Sequence, residues 1–275
     1  MISKNTKKNR MQLVVKSNDL LKKTKFNLTK QEQKIILTLI SKIKPNDDKF
    51  TEYEFSIQEY CDLVNIDNSS GGNYSYIKKS LEKLLSKVFW LETETKLISV
   101  RWLDRAIIEK DSGIVKLKLD EYLKPFLLQL KDNFTQYQLE RILPMKSQYS
   151  IRLYEFFKCD IWKSYGVDDD NNPIRRKIQV KFEISRLQEQ LMCKYKMTKD
   201  FKVRVIEPAI TEINKFTEIE VSYRFIKTIR KFTHIEFIIQ EKMGADKLLE
   251  AMDARTEVLG EPTIEQLDGQ MMMDF

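Results

Sequence analysis

One histidine, His234, is all that 275 residues provide. A strand-nicking enzyme of the kind that holds a metal on two histidines beside its tyrosine nucleophile cannot be assembled from it, so the eleven tyrosines read as packing residues. The seven glycines form no Gly-x-x-x-x-Gly-Lys, which leaves a phosphate-binding ATPase loop unsupported. Three cysteines, Cys61, Cys159 and Cys193, are odd in number, far apart and outside any Cys-x-x-Cys spacing. Neither a disulfide framework nor a zinc site follows, and they read as small apolar residues. Asp168, Asp170 and Asn172 open like a calcium loop, but Pro173 stands where that loop needs glycine and Gln179 where it needs glutamate. No apolar run approaches the roughly 18 residues of a membrane span, and the Lys-rich start lacks the apolar stretch of a secretory signal. These absences lead us to expect a cytoplasmic protein with no enzymatic activity, cofactor, metal or membrane partner.

Basic charge is plentiful, and it is unevenly spread. The net charge is +7, yet nine acids against three bases fall from Glu241 onward, so the preceding chain carries 45 basic and 32 acidic residues, +13. A body of that charge attracts a polyanion over long range. The length exceeds one typical domain, and 42% hydrophobic content supplies two modest cores.

A repeat supports that count. Phe55-Ser56-Ile57-Gln58-Glu59 runs from a short strand into a capping box, and a basic helix carrying Ile77, Leu81, Leu84 and Val88 follows. Phe182-Glu183-Ile184-Ser185-Arg186-Leu187-Gln188 leads in the same way to a helix with Ile206, Ile210, Ile213 and Thr217. Ser56 and Ser185 are 129 residues apart, as are the helix positions taken pairwise. In Ser-x-x-Glu/Gln each end satisfies an otherwise unpaired backbone N–H, and apolar residues at i, i+4 and i+7 give a helix one buried face.

Each copy continues into two strand-like runs. In the first these are Lys96 to Ile108 and Ile114 to Leu119, joined through Lys110-Asp111-Ser112-Gly113. In the second they are Ile219 to Phe225 and His234 to Gln240, joined through a basic connection from Ile226 to Lys231. Helix, helix, hairpin is the order of a winged helix, so the sequence predicts an α+β fold of two tandem winged-helix domains. Thr29-Lys30-Gln31-Glu32 opens the first core helix, with Ile36, Leu39, Ile40 and Ile43 inward. We expect a flexible basic arm over 1–18, an N-terminal domain over 19–135, a linker over 136–146 where the pattern weakens before Pro144, a C-terminal domain over 147–242, and an acidic tail over 243–275 without order of its own.

The second basic helix has the chemistry for reading DNA. With Ile206 at the centre of the buried face, about 100° per residue sends Arg204, Thr211 and Lys215 to the opposite side, with Lys202 at the flank and Lys199 near the helix start. Lys227, Arg230 and Lys231 fall at the hairpin turn, where a wing meets backbone or minor groove. A solvated face would explain either group alone; both together, at places set by one docking geometry, favour double-stranded DNA. In the first copy the same rotation exposes Lys79, Glu82, Lys83 and Ser86, with Ser75 and Lys78 nearby, and the turn residues Lys110, Asp111 and Ser112 are less basic, so the second domain is expected to carry more of the affinity.

Leu143-Pro144-Met145-Lys146-Ser147-Gln148-Tyr149-Ser150-Ile151-Arg152-Leu153-Tyr154-Glu155-Phe156-Phe157-Lys158 resembles the segment that opens the second domain in the replication initiator (Rep) proteins of theta-replicating plasmids. The run from Phe201 to Asn214 is similar to that family's recognition helix, and the resemblance spans about residues 15 to 240. It implies binding to repeated origin sequences (iterons), opening of the adjacent duplex, recruitment of the host initiator and helicase, and a dimer that represses its own promoter while monomers initiate. It also adds Arg152 to the DNA-binding residues. Gln270-Met271-Met272-Met273-Asp274-Phe275 resembles the short peptide by which bacterial replication proteins dock on the sliding clamp, with Gln270, Met273 and Phe275 as anchors. A winged-helix transcription regulator without a replication role is the alternative, and a nicking enzyme a more distant one.

Overall fold

Two three-stranded sheets of the same strand order organise the computed structural model, which describes residues 12–59, 72–92, 95–109, 112–167 and 173–242. Cys61, the turn residues Lys110 and Asp111, the calcium-like Asp168, Asp170 and Asn172, the arm up to Met11 and the clamp-like Gln270, Met273 and Phe275 lie outside them.

In the first half Thr29 caps the helix Lys30–Ile40 (α2), with both bonds of the capping box made. Every residue of α2 from Gln31 to Ile40 is buried, which makes it the central helix of this half. The strand Tyr53–Ser56 (β2) then enters a helical turn, where Ser56 Oγ accepts from Glu59 N at 2.9 Å and the Glu59 carboxylate accepts from Ser56 N at 3.1 Å. The helix Gly72–Ser86 (α3) buries Ile77, Leu81 and Leu84. Strands Leu103–Ile108 (β5) and Ile114–Leu119 (β6) complete a sheet of order β2-β6-β5. An added hairpin, Val88–Glu92 (β3) with Leu97–Arg101 (β4), sits between α3 and β5. Val88, expected on the buried stripe of α3, is instead the first residue of β3 and 52% exposed, because the helix has already ended.

The second half repeats the plan. Strand Ile178–Glu183 (β10) leads to the helix Ile184–Gln190 (α7), then Thr198–Phe201 (α8) and Glu207–Phe216 (α9), then the hairpin Ile219–Thr228 (β11) and Lys231–Glu241 (β12). Its sheet order, β10-β12-β11, is that of the first half, with the outgoing wing strand at one edge and the returning strand in the middle. The second capping box does not form. Glu183 occupies the cap position of α7, the Ser185 hydroxyl donates to the Glu183 carboxylate, and Gln188 Oε1 accepts from Tyr195 N at 2.6 Å. The matching residues at this point are therefore Ile57 and Ile184, both nearly buried and 127 apart, while Ile77 and Ile206 are 129 apart. The insertion-free offset is corrected to two offsets that differ by two residues.

Between the halves runs the helix Gln148–Asp160 (α6), buried from Ser150 to Asp160. Strand Leu13–Ser17 (β1) pairs antiparallel with Phe134–Gln138 (β7), so residues 13–17 are sheet where an arm was expected. The stretch expected as a linker is packed: Tyr137, Leu139, Ile142, Leu143 and Met145 are buried. Polar side chains at buried strand positions, Lys16, Thr135 and Gln138, hide the alternation that would have revealed both strands.

Lys16 is tolerable there because the Glu155 carboxylate of α6 meets its ammonium. The same carboxylate accepts from Tyr137 Oη at 2.6 Å and lies 3.3 Å from Arg152 Nη1. Burial by itself raises the carboxyl pKa of Glu155, but Lys16 and Arg152 outweigh it and hold it below the usual glutamate range. A depressed carboxylate contributes stability above its unfolded pKa, 4.5, and loses it as pH falls through the lower folded value. Glu218, buried against Lys158 at 2.8 Å and Tyr154, follows the same rule on the side of the second half. Replacing Glu155 with Gln leaves two cations buried without a counter-charge and is expected to cost about 3–5 kcal/mol in urea unfolding at pH 7. The deficit should shrink as pH falls below about 4.5, where the unfolded parent chain takes up a proton at Glu155, and should be gone once pH has passed the lower folded value.

Candidate nucleic-acid interface

α8 and α9 form one continuous rod, joined by a π-helical turn over Lys202–Ile206. Phe201, Val205, Ile206, Ala209, Ile210 and Ile213 turn inward, and each buried Ile contributes roughly 1.5–3 kcal/mol of apolar transfer energy. That face fixes what the other one offers. Lys199, Val203, Arg204, Pro208, Thr211 and Lys215 are exposed, so Lys199, Val203, Thr211 and Lys215 share a row four residues apart with the half-buried Glu207 between them. Lys202 is half-buried and paired with Glu207 at 3.5 Å. Val203 was missed by the sequence reading because the π turn inserts part of a residue and shifts the phase of everything N-terminal to it. The rod is anchored from behind by Glu212, whose carboxylate accepts from Lys146 N at 2.9 Å, Ser147 N at 3.1 Å and Ser150 Oγ at 2.6 Å. Glu212 of α9 thus ties down the start of the helix that joins the two halves, whose N-cap is Ser147.

The wing projects beyond its sheet. β10 pairs with β12 only as far as Glu183 with His234, whereas β11 and β12 continue together to Thr228 with Lys231, bent by an irregularity at Ile226/Lys227. The basic connection expected from Ile226 to Lys231 is therefore mostly strand, closed by the two residues Ile229 and Arg230. Lys227, Arg230 and Lys231 are exposed, and Lys227 Nζ lies 4.9 Å from the centre of the Phe232 ring. From Phe225 to Ile235 the chain holds no carboxylate. Ile229, at the tip, is 95% exposed with φ of 60°.

The first half is milder. Ser75, Lys78 and Lys79 are exposed on α3, with Lys78 3.8 Å from Glu82. At its wing, Lys116 is held by Glu109 at 2.8 Å and Glu54 at 3.2 Å, so carboxylates offset the cation at the hairpin base.

Arg152 is a correction. It is 3% exposed, its guanidinium stacked between the rings of Phe26 at 4.2 Å and Phe156 at 4.7 Å, and it donates to the Leu21 carbonyl at 3.1 Å. A cation enclosed in this way organises the junction and presents nothing to a ligand. Cys159 and Cys193 fit their reading as apolar residues, since burial pushes both thiols up to about 11 and leaves them protonated near neutrality. Among the described residues no group of three or more His, Cys, Asp and Glu is placed to hold a metal ion, and no helix is long and apolar enough to cross a membrane.

Residues 13–158 match the family described as Initiator Replication protein, WH1, and residues 183–239 match Initiator Rep protein, WH2. The chain belongs to this replication initiator family. A replication initiation protein of Escherichia coli is 22% identical to this chain over 217 residues, which cover 76% of the present chain and 64% of that protein. The chain thus spans less than two thirds of that relative. Among solved structures, the Pi initiator protein in complex with iteron DNA superposes with a TM-score of 0.67 at 18% identity, covering 85% of this chain and 99% of the other. The fold is two winged helices, with the strand order described above in both.

The wing tip generates a stability test. A β-branched residue in the left-handed region costs about 1–2 kcal/mol, offset in part by the larger entropy that glycine has in the unfolded chain. Ile229→Gly is expected to leave the melting temperature unchanged or raise it by up to a few degrees. A drop in melting temperature would mean that the Ile229 side chain packs against the protein.

Proposed function

We propose that this chain initiates plasmid replication by binding repeated double-stranded DNA at its origin, each winged helix laying one helix in the major groove and its wing along the flanking backbone or minor groove. The observation that carries this reading is the pairing of an exposed row on the α8–α9 rod with a carboxylate-free basic wing on the same domain. Arg204 offers the fork that reads guanine, Thr211 and Lys215 reach bases or phosphates, and Lys199 and Lys202 sit where the duplex backbone approaches. Lys227, Arg230 and Lys231 supply sequence-independent attraction. Ser75, Lys78 and Lys79 of α3 form the second, weaker contact. A solved structure of this fold being a complex with iteron DNA supports repeated double-stranded DNA as the ligand.

We take the two winged helices as the two DNA-binding units, the first including β1 and β7, with the packed stretch up to 146 and α6 joining them. Around them we place the remaining roles that the family suggests: opening of the adjacent duplex, recruitment of the host initiator and helicase, self-association with repression of its own promoter, and docking of Gln270, Met273 and Phe275 on the sliding clamp. The protein would then work in the cytoplasm as an assembly platform without catalysis.

A footprint of the purified protein on the DNA around its own gene is expected to show regular protection of tandem repeats about two helical turns apart, without nicks. A single protected operator would favour a transcription regulator, and a metal-dependent nick would favour an enzyme. Arg204→Ala is expected to cost about 1–3 kcal/mol on the repeat and little on random DNA, whereas Lys231→Ala should weaken all sequences alike and flatten the salt slope by about one. Equal, sequence-independent losses from both would contradict base reading by Arg204. Deleting Gln270 to Phe275 should abolish clamp binding and spare DNA binding; unchanged clamp binding would remove the tail from the account.

A further inference from the structure

Ile229 is badly placed for any purpose internal to the fold. A two-residue hairpin turn whose first residue has positive φ is a position for glycine, and a β-branched side chain is among the poorest choices there. The side chain contributes nothing to a core, being 95% exposed, whereas the next most exposed large apolar residues among those described, Leu97 and Met197, reach 62%. It is surrounded by Lys227, Arg230 and Lys231, so a partner of the same positive sign or an apolar protein surface is disfavoured and an anion is attracted. The hairpin extends two residue pairs, Lys227 with Phe232 and Thr228 with Lys231, beyond the end of β10, about 7 Å at 3.3 Å per residue, so its tip stands clear of the three-stranded sheet.

We propose that Ile229 is the wing's minor-groove contact and selects A·T pairs at the positions beneath it. This rests on the DNA-binding reading above. The minor groove is about 6 Å wide and 7.5 Å deep, too narrow for the two-stranded hairpin but open to one side chain projecting from its tip. The floor offers only acceptors at A·T and adds the guanine N2 amino donor at G·C. An isoleucine pressed on that amino group strips its water and returns no hydrogen bond, so G·C is rejected by desolvation. The flanking cations meet the phosphates on either side and hold the tip over the groove without distinguishing one base pair from another. Apolar wedges of this type are a recurring minor-groove device.

The test uses the full chain and duplexes it selects from a random library. Dissociation constants are compared for the selected duplex, a version with A·T pairs beyond the recognition-helix motif changed to G·C, and a version carrying I·C, which lacks the amino group but keeps the major-groove pattern of G·C. The parent protein is expected to lose about tenfold on G·C and to recover most of it on I·C. Ile229→Gly should bind all three within about twofold of one another while keeping the same major-groove motif, and Ile229→Asn, which can accept from the amino group, should narrow the difference as well. Lys231→Ala should weaken all three equally. The proposal is overturned by an Ile229→Gly protein that keeps the parent's ratio, by inosine behaving like guanine, or by a change in self-association with base preference intact, which would assign the tip to a second copy. A parent chain that enriches no sequence at all would instead bring down the DNA-binding reading itself.

Discussion

Everything in this chain is organised around one buried carboxylate. Glu155 of α6 holds the Lys16 ammonium of β1, accepts from Tyr137 of β7 and lies beside Arg152, whose guanidinium closes against carbonyls of the N-terminal half. Two buried cations and one anion would be untenable separately, because each charge taken out of water costs several kcal/mol unless it is paired and hydrogen-bonded. Together they pin β1 and β7 to α6. On the neighbouring face α6 uses Lys158 and Tyr154 to hold Glu218, at the foot of the second wing, and the start of the helix is tied to α9 by Glu212, which accepts from Ser147 N. The helix is therefore a rigid coupling between two otherwise self-contained winged units, and the position of α9 depends on it.

The two units share a sheet order and have diverged in surface. Carboxylates restrain the cation at the base of the first wing, and its copy carries an added hairpin, β3 with β4, that presents Val88, Trp90 and Leu97 outward. The second keeps its wing free of acids and sets an exposed valine and isoleucine among its cations. On the DNA-binding function proposed above, this difference in charge and shape is the basis for assigning the stronger contact to the second unit and the weaker one to the first, which has more apolar surface exposed.

Periodicity made much of this legible. The buried stripes of α2, α3, α6 and α9 could be read from apolar spacing, and a rotation of 100° per residue correctly exposed Arg204, Thr211 and Lys215. Where reading failed, a local rule was overridden by a tertiary contact. β1 and β7 were hidden because Lys16, Thr135 and Gln138 fill core-facing positions that a hydrophobic pattern cannot mark. Ser185 had the letters of a cap, but the strand ended two residues earlier and Glu183 took the position. Arg152 was assigned to DNA on the strength of a resemblance, whereas its partners Glu155, Phe26 and Phe156 enclose it. Val203 and Ile229 escaped notice for the opposite reason, since apolar letters are read as core and only the π turn and the positive φ reveal that these two are not.

Guanine-methylation interference on a single repeat shows whether both winged helices engage it and whether the second reads more of it. The account expects two major-groove tracts, one per unit, with the stronger tract lost selectively in Arg204→Ala and the weaker one lost in Lys78→Ala/Lys79→Ala. A single tract that survives the loss of Arg204 would contradict it.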